Sequence, residues 1–67
     1  MLDPALKDAL RNFRAVRSRK PAGGDQQALA DWREAMADAL DALAVVLVFE
    51  SDRQQARAAA AAIRSGR

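Results

Sequence analysis

The sequence predicts an all-α protein in which three helices pack as a homodimeric helical bundle. Three observations indicate this fold class. Apolar residues recur every three or four positions along most of the chain, helix-starting residues precede two of these stretches, and the third stretch is rich in alanine. We expect helices at about residues 3–20, 25–50 and 51–65 within one domain that spans residues 1–67.

The first helix has a clear start and a clear end. Asp3 is a preferred N-cap residue, and Pro4 suits the first helical position. At 3.6 residues per turn the apolar residues form one stripe, which consists of Leu2, Ala5, Leu6, Ala9, Leu10, Phe13 and Val16. Pro21 cannot continue the helix without strain, so we expect it to end near Lys20.

The second helix begins at a second capping residue, Asp25, which follows a flexible Gly-Gly corner. Its apolar stripe consists of Leu29, Trp32, Met36, Leu40, Leu43 and Leu47. We interpret Trp32 and Met36 as core residues that need no ligand. Residues 45–49 (VVLVF) are β-branched or apolar on every face and could form a short buried strand. We favour a helix, because the sequence offers no second strand for pairing.

The third helix is predicted from a capping-box pattern, Ser51 with Gln54, before the alanine-rich stretch Ala56–Ala62. We therefore place the break between the second and third helices near residues 50–52. The alternative is an unbroken helix over residues 25–65, a rod of roughly 60 Å at 1.5 Å per residue.

The composition argues against an enzyme. The chain has no histidine, cysteine or tyrosine, and only three serines. Without these residues there is no usual nucleophile, no transition-metal ligand set and no base that titrates near neutral pH. We expect no catalytic residues, no metal site and no cofactor.

The chain is also short for its apolar content. A chain of this length buries only about 60% of its unfolded surface, and the segment around residues 45–49 needs cover on all sides. We therefore predict self-association, most simply as a dimer. The predicted interface residues are Leu43, Val45, Val48, Phe49, Ala56 and Ile63. The alternative is that the third helix folds back and covers this segment alone through its alanines.

Charged residues form three further candidate surfaces. The first helix carries a basic face that could bind a nucleic-acid backbone or simply face solvent; it comprises Lys7, Arg11, Arg14 and Arg17. The second helix carries an acidic row that would be relieved by the basic first helix, by a second copy or by a basic partner; it comprises Asp31, Glu34, Asp38 and Asp41. The third helix carries a row of arginines that could face the acidic row across an interface, bind nucleic acid or simply face solvent; it comprises Arg53, Arg57 and Arg64.

These patterns favour a non-enzymatic interaction or assembly module that acts as a homo-oligomer and presents a helical face to an unidentified protein partner. The alternative is a small nucleic-acid-binding accessory protein that uses the basic face of the first helix. The longest apolar run, residues 42–49, has eight residues, whereas a membrane span needs about 20. Together with the lack of a signal-peptide pattern, this predicts a cytoplasmic protein that does not enter a membrane.

Overall fold

The computed structural model describes residues 3–66, and over this range the chain is helical, as predicted. The helices are α1 (Pro4–Ser18), α2 (Gln26–Val46) and α3 (Glu50–Arg64). No strand occurs within these residues, so the strand alternative for residues 45–49 is wrong. Leu2, which the apolar periodicity assigned to the first helix, lies outside the described residues.

The starts of α1 and α2 follow the predicted capping chemistry. The Asp3 carboxylate accepts a hydrogen bond from the backbone N–H of Ala5 at 2.9 Å. The Asp25 carboxylate accepts from the N–H groups of Gln27 and Ala28 at 3.0 and 3.3 Å. Each aspartate therefore satisfies N–H groups that have no partner within their own helix.

The break between α2 and α3 lies earlier than predicted. Residues 47–49 separate the two helices, and Phe49 occupies the N-cap position of α3. Ser51 lies inside the first turn of α3, so its interpretation as the capping residue is wrong. The break lets α3 fold back on α2, and the small residues Ala56 and Ala60 of α3 are buried.

The three helices lie side by side in one layer. α2 is central and contacts both α1 and α3, whereas the backbones of α1 and α3 do not meet within residues 3–66. The molecule measures 40 × 21 × 11 Å, and its shortest dimension is about the diameter of one helix with its side chains. Its radius of gyration is 12.6 Å, against roughly 11 Å for a compact chain of this length. A single layer leaves two broad faces open to solvent.

The core is correspondingly thin and consists largely of alanine. The buried residues are Met36, Ala37, Ala39, Leu40, Leu43 and Ala44 of α2 with Ala56 and Ala60 of α3. Ala37 and Ala60 are completely covered, and Phe13 of α1 and Ile63 of α3 pack against them and Leu40. No residue of α1 within the described range is fully buried.

Trp32 attaches the end of α1 to α2. Its indole Nε1 donates a hydrogen bond of 2.8 Å to the carbonyl oxygen of Val16, and the ammonium group of Lys20 lies 5.7 Å from the centre of the indole ring. The side chain is half-buried, as expected for a residue on the apolar stripe, and Met36 one turn later is buried. Trp32 thus holds the two helices together at the end of the molecule opposite the α2–α3 linker.

Candidate interaction surfaces

The largest exposed apolar side chains belong to three residues at the junction of α2 and α3, which we name the linker patch. Val45 is 73% exposed, Val48 is 77% exposed and Phe49 is 68% exposed. Val45 lies in the last turn of α2, while Val48 and Phe49 lie in the linker, outside the helix predicted for them. All three lie within residues 45–49, and exposed apolar side chains grouped in one region mark interaction sites more often than scattered ones do.

α3 folds back onto α2 but does not cover the linker patch. Its contact with α2 runs through Ala56, Ala60 and Ile63, which approach α2 along a different side from Val45. The alternative in which the third helix alone shields the patch is therefore wrong, although its alanines do permit the close approach expected of them.

Three residues assigned to the self-association surface lie in the interior instead. Leu43 and Ala56 are buried within the chain, and Ile63 packs against the core. In this conformation Leu43 and Ala56 are therefore not exposed for contact with a second copy, and Ile63 is only partly exposed. The exposed part of the predicted surface is the linker patch alone.

Phe49 is unusual at a helix N-terminus. Its backbone has the extended conformation of an N-cap residue, with φ −90° and ψ 134°, but its side chain can accept no hydrogen bond and caps nothing. Asp, Asn, Ser and Thr are preferred at this position, and the other two helices of the chain use Asp. α3 therefore begins with a large apolar side chain where a small polar one would stabilise it.

Arg53 of α3 makes two hydrogen bonds to the linker. Its backbone N–H donates to the carbonyl oxygen of Phe49 at 3.0 Å. Arg53 donates from Nε to the carbonyl oxygen of Leu47 at 2.6 Å, and its guanidinium lies 3.9 Å from the carboxylate of Glu50. Arg57 lies 4.0 Å from the same carboxylate. Both pairs with Glu50 are solvent-exposed, and such pairs contribute little to stability.

The acidic row on α2 is bound by Arg64 of the same chain. The guanidinium donates to Asp41 at 2.5 Å, to Asp38 at 2.8 Å and to Glu34 at 3.5 Å. The hydrogen bonds that Arg64 donates to Asp41 and then Asp38 raise its pKa above the ordinary value, so the group is charged at any pH in normal use. Within this chain the cation beside the acidic row comes from α3.

Within this chain every carboxylate of the acidic row has a polar partner. Three of its four carboxylates converge on Arg64, while Asp31 accepts a hydrogen bond of 2.9 Å from the side chain of Gln27. The acidic row thus forms part of the contact between α2 and α3. Of the candidates that the sequence offered, the arginine row of the third helix is the one that meets the acidic row, through Arg64.

The basic face of α1 is exposed as predicted. Lys7, Arg11, Arg14 and Arg17 are all solvent-accessible, and the first three surround a shallow depression of about 280 Å³ beside Leu10. Arg11 lies 3.7 Å from Asp8, and Arg17 lies over the ring of Phe13 at 5.7 Å.

Among residues 3–66, no helix has the length and apolar character that crossing a membrane requires. Comparison of the sequence with protein-family models and with curated proteins, and of the fold with solved structures, gives no match. The exposed surfaces described above are therefore the basis of the proposed function.

Proposed function

We propose that this protein is a non-enzymatic helical interaction module that associates with itself through the linker patch and acts in the cytoplasm as an adaptor or assembly subunit. The observation that carries the proposal is the exposure of Val45, Val48 and Phe49 at one end of the helical layer. The exposure of these apolar side chains to water is unfavourable in free energy, and association lowers that free energy by burying them.

The thinness of the core supports the same proposal. No large side chain among residues 3–66 is fully covered, and the covered positions are mostly alanines. Packing of a second layer against this one would cover half-exposed apolar side chains that the chain cannot cover itself. Small domains with such cores commonly depend on oligomerisation for stability.

The patch is the centre of the proposed interface and not the whole of it. Even a large aromatic side chain buries at most about 250 Å², so three side chains fall below the roughly 800 Å² per partner that stable interfaces bury. Neighbouring parts of α2 and α3 must contribute the remaining area.

Sedimentation of the wild-type chain tests the proposal, with Val48→Asp as the test variant. Val48 lies in the linker and is exposed, so an aspartate there disturbs no helix and no core contact. We expect the wild type to sediment at twice the chain mass at micromolar concentration and Val48→Asp to sediment as a monomer with unchanged helicity.

Ala22→Asp is the matched control, because Ala22 is also exposed and also lies between helices, in the α1–α2 connection. It adds the same charge away from the linker patch and should remain dimeric. A wild-type chain that stays monomeric up to high micromolar concentration would refute the proposal.

A second candidate function, nucleic-acid binding, is favoured by one observation. The basic face of α1 is exposed along its length, and Lys7 and Arg14 have no carboxylate partner among the described residues. Binding to duplex DNA should then weaken steeply between roughly 50 and 200 mM salt. It should also be lost in the double variant Arg11→Glu, Arg14→Glu, and the absence of any binding at low salt removes this candidate.

A further inference from the structure

We infer that two copies of the chain associate by exchanging α3. In the exchanged dimer, α2 and α3 of each copy join through the linker into one continuous helix, and each α3 packs on the α2 of the other copy. This inference rests on the proposed function, because it specifies how self-association takes place and identifies the partner as a second copy of this chain.

The linker has the chemistry of a helix interior and not of a turn. Residues 47–49 are Leu, Val and Phe, whereas turns between helices usually contain Gly, Pro, Asn, Asp or Ser. The connection between α1 and α2 contains Pro21, Gly23, Gly24 and Asp25. The α2–α3 hinge therefore has little local preference for the bent conformation, and a short hinge of this kind favours exchange.

Both helix ends at the linker have unsatisfied backbone groups. α3 begins without a side-chain cap, so N–H groups of its first turn depend on water. At the end of α2 the N–H of Leu47 bonds to the carbonyl of Leu43, and the carbonyls that follow it in the helix have no partner within the helix. In a continuous helix the N–H groups of Glu50 and Ser51 bond to the carbonyls of Val46 and Leu47, and Ser51 replaces the Arg53 side chain as the donor to Leu47.

The surfaces that would meet between copies already fit each other. Ala37 and Ala60 are completely covered where α2 meets α3, and Arg64 bonds to Asp38 and Asp41 across the same contact. Exchange rebuilds this contact between two chains without loss of area or charge pairing. Only the hinge changes.

The hinge is also the location of the linker patch. In a continuous helix Val45, Val48 and Phe49 are spaced i, i+3 and i+4, so they share one face. Each long helix would extend over roughly 60 Å, at 1.5 Å per residue. The two hinges meet at the two-fold axis, where identical patches pack against each other as a symmetric dimer requires. Exchange thus removes the exposed apolar side chains that the hairpin leaves in water.

Glu50→Pro tests the hinge directly. Position 50 is the first residue of α3, where proline is well tolerated. The extended backbone of Phe49, with ψ 134°, suits a residue that precedes proline. In a continuous helix the same proline removes a hydrogen bond and clashes with the preceding turn.

Glu50→Gln is the matched control, because it removes the same carboxylate and leaves both conformations open. We expect the proline variant to raise the dimer dissociation constant at least about 100-fold, whereas the glutamine variant dimerises like the wild type.

Mixing two charge-reversed chains tests the exchange itself. Arg64→Glu in one chain and the pair Asp38→Arg, Asp41→Arg in another each place like charges within the hairpin. In an exchanged heterodimer, each α3 meets an α2 of opposite charge, so both contacts are restored. We expect native mass spectrometry of the mixture to show mixed pairs in clear excess over like pairs, with recovered helicity.

The outcomes separate this inference from the proposed function. A Glu50→Pro variant that dimerises like the wild type, or a mixture without excess of mixed pairs, overturns the exchange while the wild-type dimer still supports self-association. A wild-type chain that is monomeric at all concentrations overturns both.

Discussion

Replacement of Phe49 measures the conformation of the linker through helix capping. In the hairpin, residue 49 precedes α3 and an aspartate there can accept hydrogen bonds from N–H groups of the first turn. In an unbroken helix the same residue lies in the interior, where aspartate is a poor helix former. Relative to alanine, aspartate at this position therefore stabilises the hairpin and destabilises the unbroken helix.

The expected magnitude follows from exposure and capping. Phe49 is 68% exposed, so either substitution removes only the covered third of a side chain, or roughly 0.5 to 1 kcal/mol. Aspartate then adds a cap of about 1 kcal/mol that alanine lacks. For a chain of this size, Phe49→Asp should melt about 4 to 8 °C above Phe49→Ala.

The assay is thermal unfolding followed by circular dichroism, at a concentration where sedimentation shows both variants to be monomeric. Phe49→Asn is a useful third variant, since asparagine caps as well as aspartate without adding charge next to Glu50 and Asp52. Both capping variants should have higher melting temperatures than the alanine variant. Equal melting temperatures for all three would refute the position of the break at residues 47–49.

Three further variants probe the helix contacts. Arg64→Gln should lower the melting temperature, most strongly at low salt, because it leaves three carboxylates without their shared cation. The control Arg57→Gln should change the melting temperature little. Equal effects of the two variants would contradict the role of Arg64. Ala60→Leu should cost roughly 1 to 3 kcal/mol in urea unfolding because no space is left at this covered position. The control Ala58→Leu, on the exposed side of α3, should leave the free energy of unfolding nearly unchanged. An equally small change for Ala60→Leu would argue against close packing of α3. Trp32→Phe should cost about 1 kcal/mol through the loss of its hydrogen bond to the end of α1, and an unchanged stability would show that this bond does not hold α1.

The elements that sequence reasoning located correctly are those governed by neighbours along the chain. Asp3 and Asp25 cap the helices that follow them, and the apolar stripe of α2 contains its buried Met36, Leu40 and Leu43. Capping and periodicity act within a turn or two, so a single sequence contains the information.

The elements that it located wrongly depend on contacts between helices. Ser51 and Gln54 match a local capping pattern, yet α3 begins at Glu50 with Phe49 at the N-cap position. Leu43 and Ala56, which the sequence assigned to a self-association surface, are buried within the single chain. The spacing of apolar residues does not specify which of two apolar faces another helix of the same chain covers.

The amino-acid sequence by itself determined that the chain is helical and where two of its helices start, because these depend on hydrogen bonds and side chains close in sequence. Only the tertiary structure decided that Arg64 binds the acidic row, that the helices form a single layer and that Val45, Val48 and Phe49 are left in water. These features arise from the return of α3 onto α2, a contact between residues some 20 to 30 positions apart. Its geometry is set by close packing of small side chains and not by local propensity.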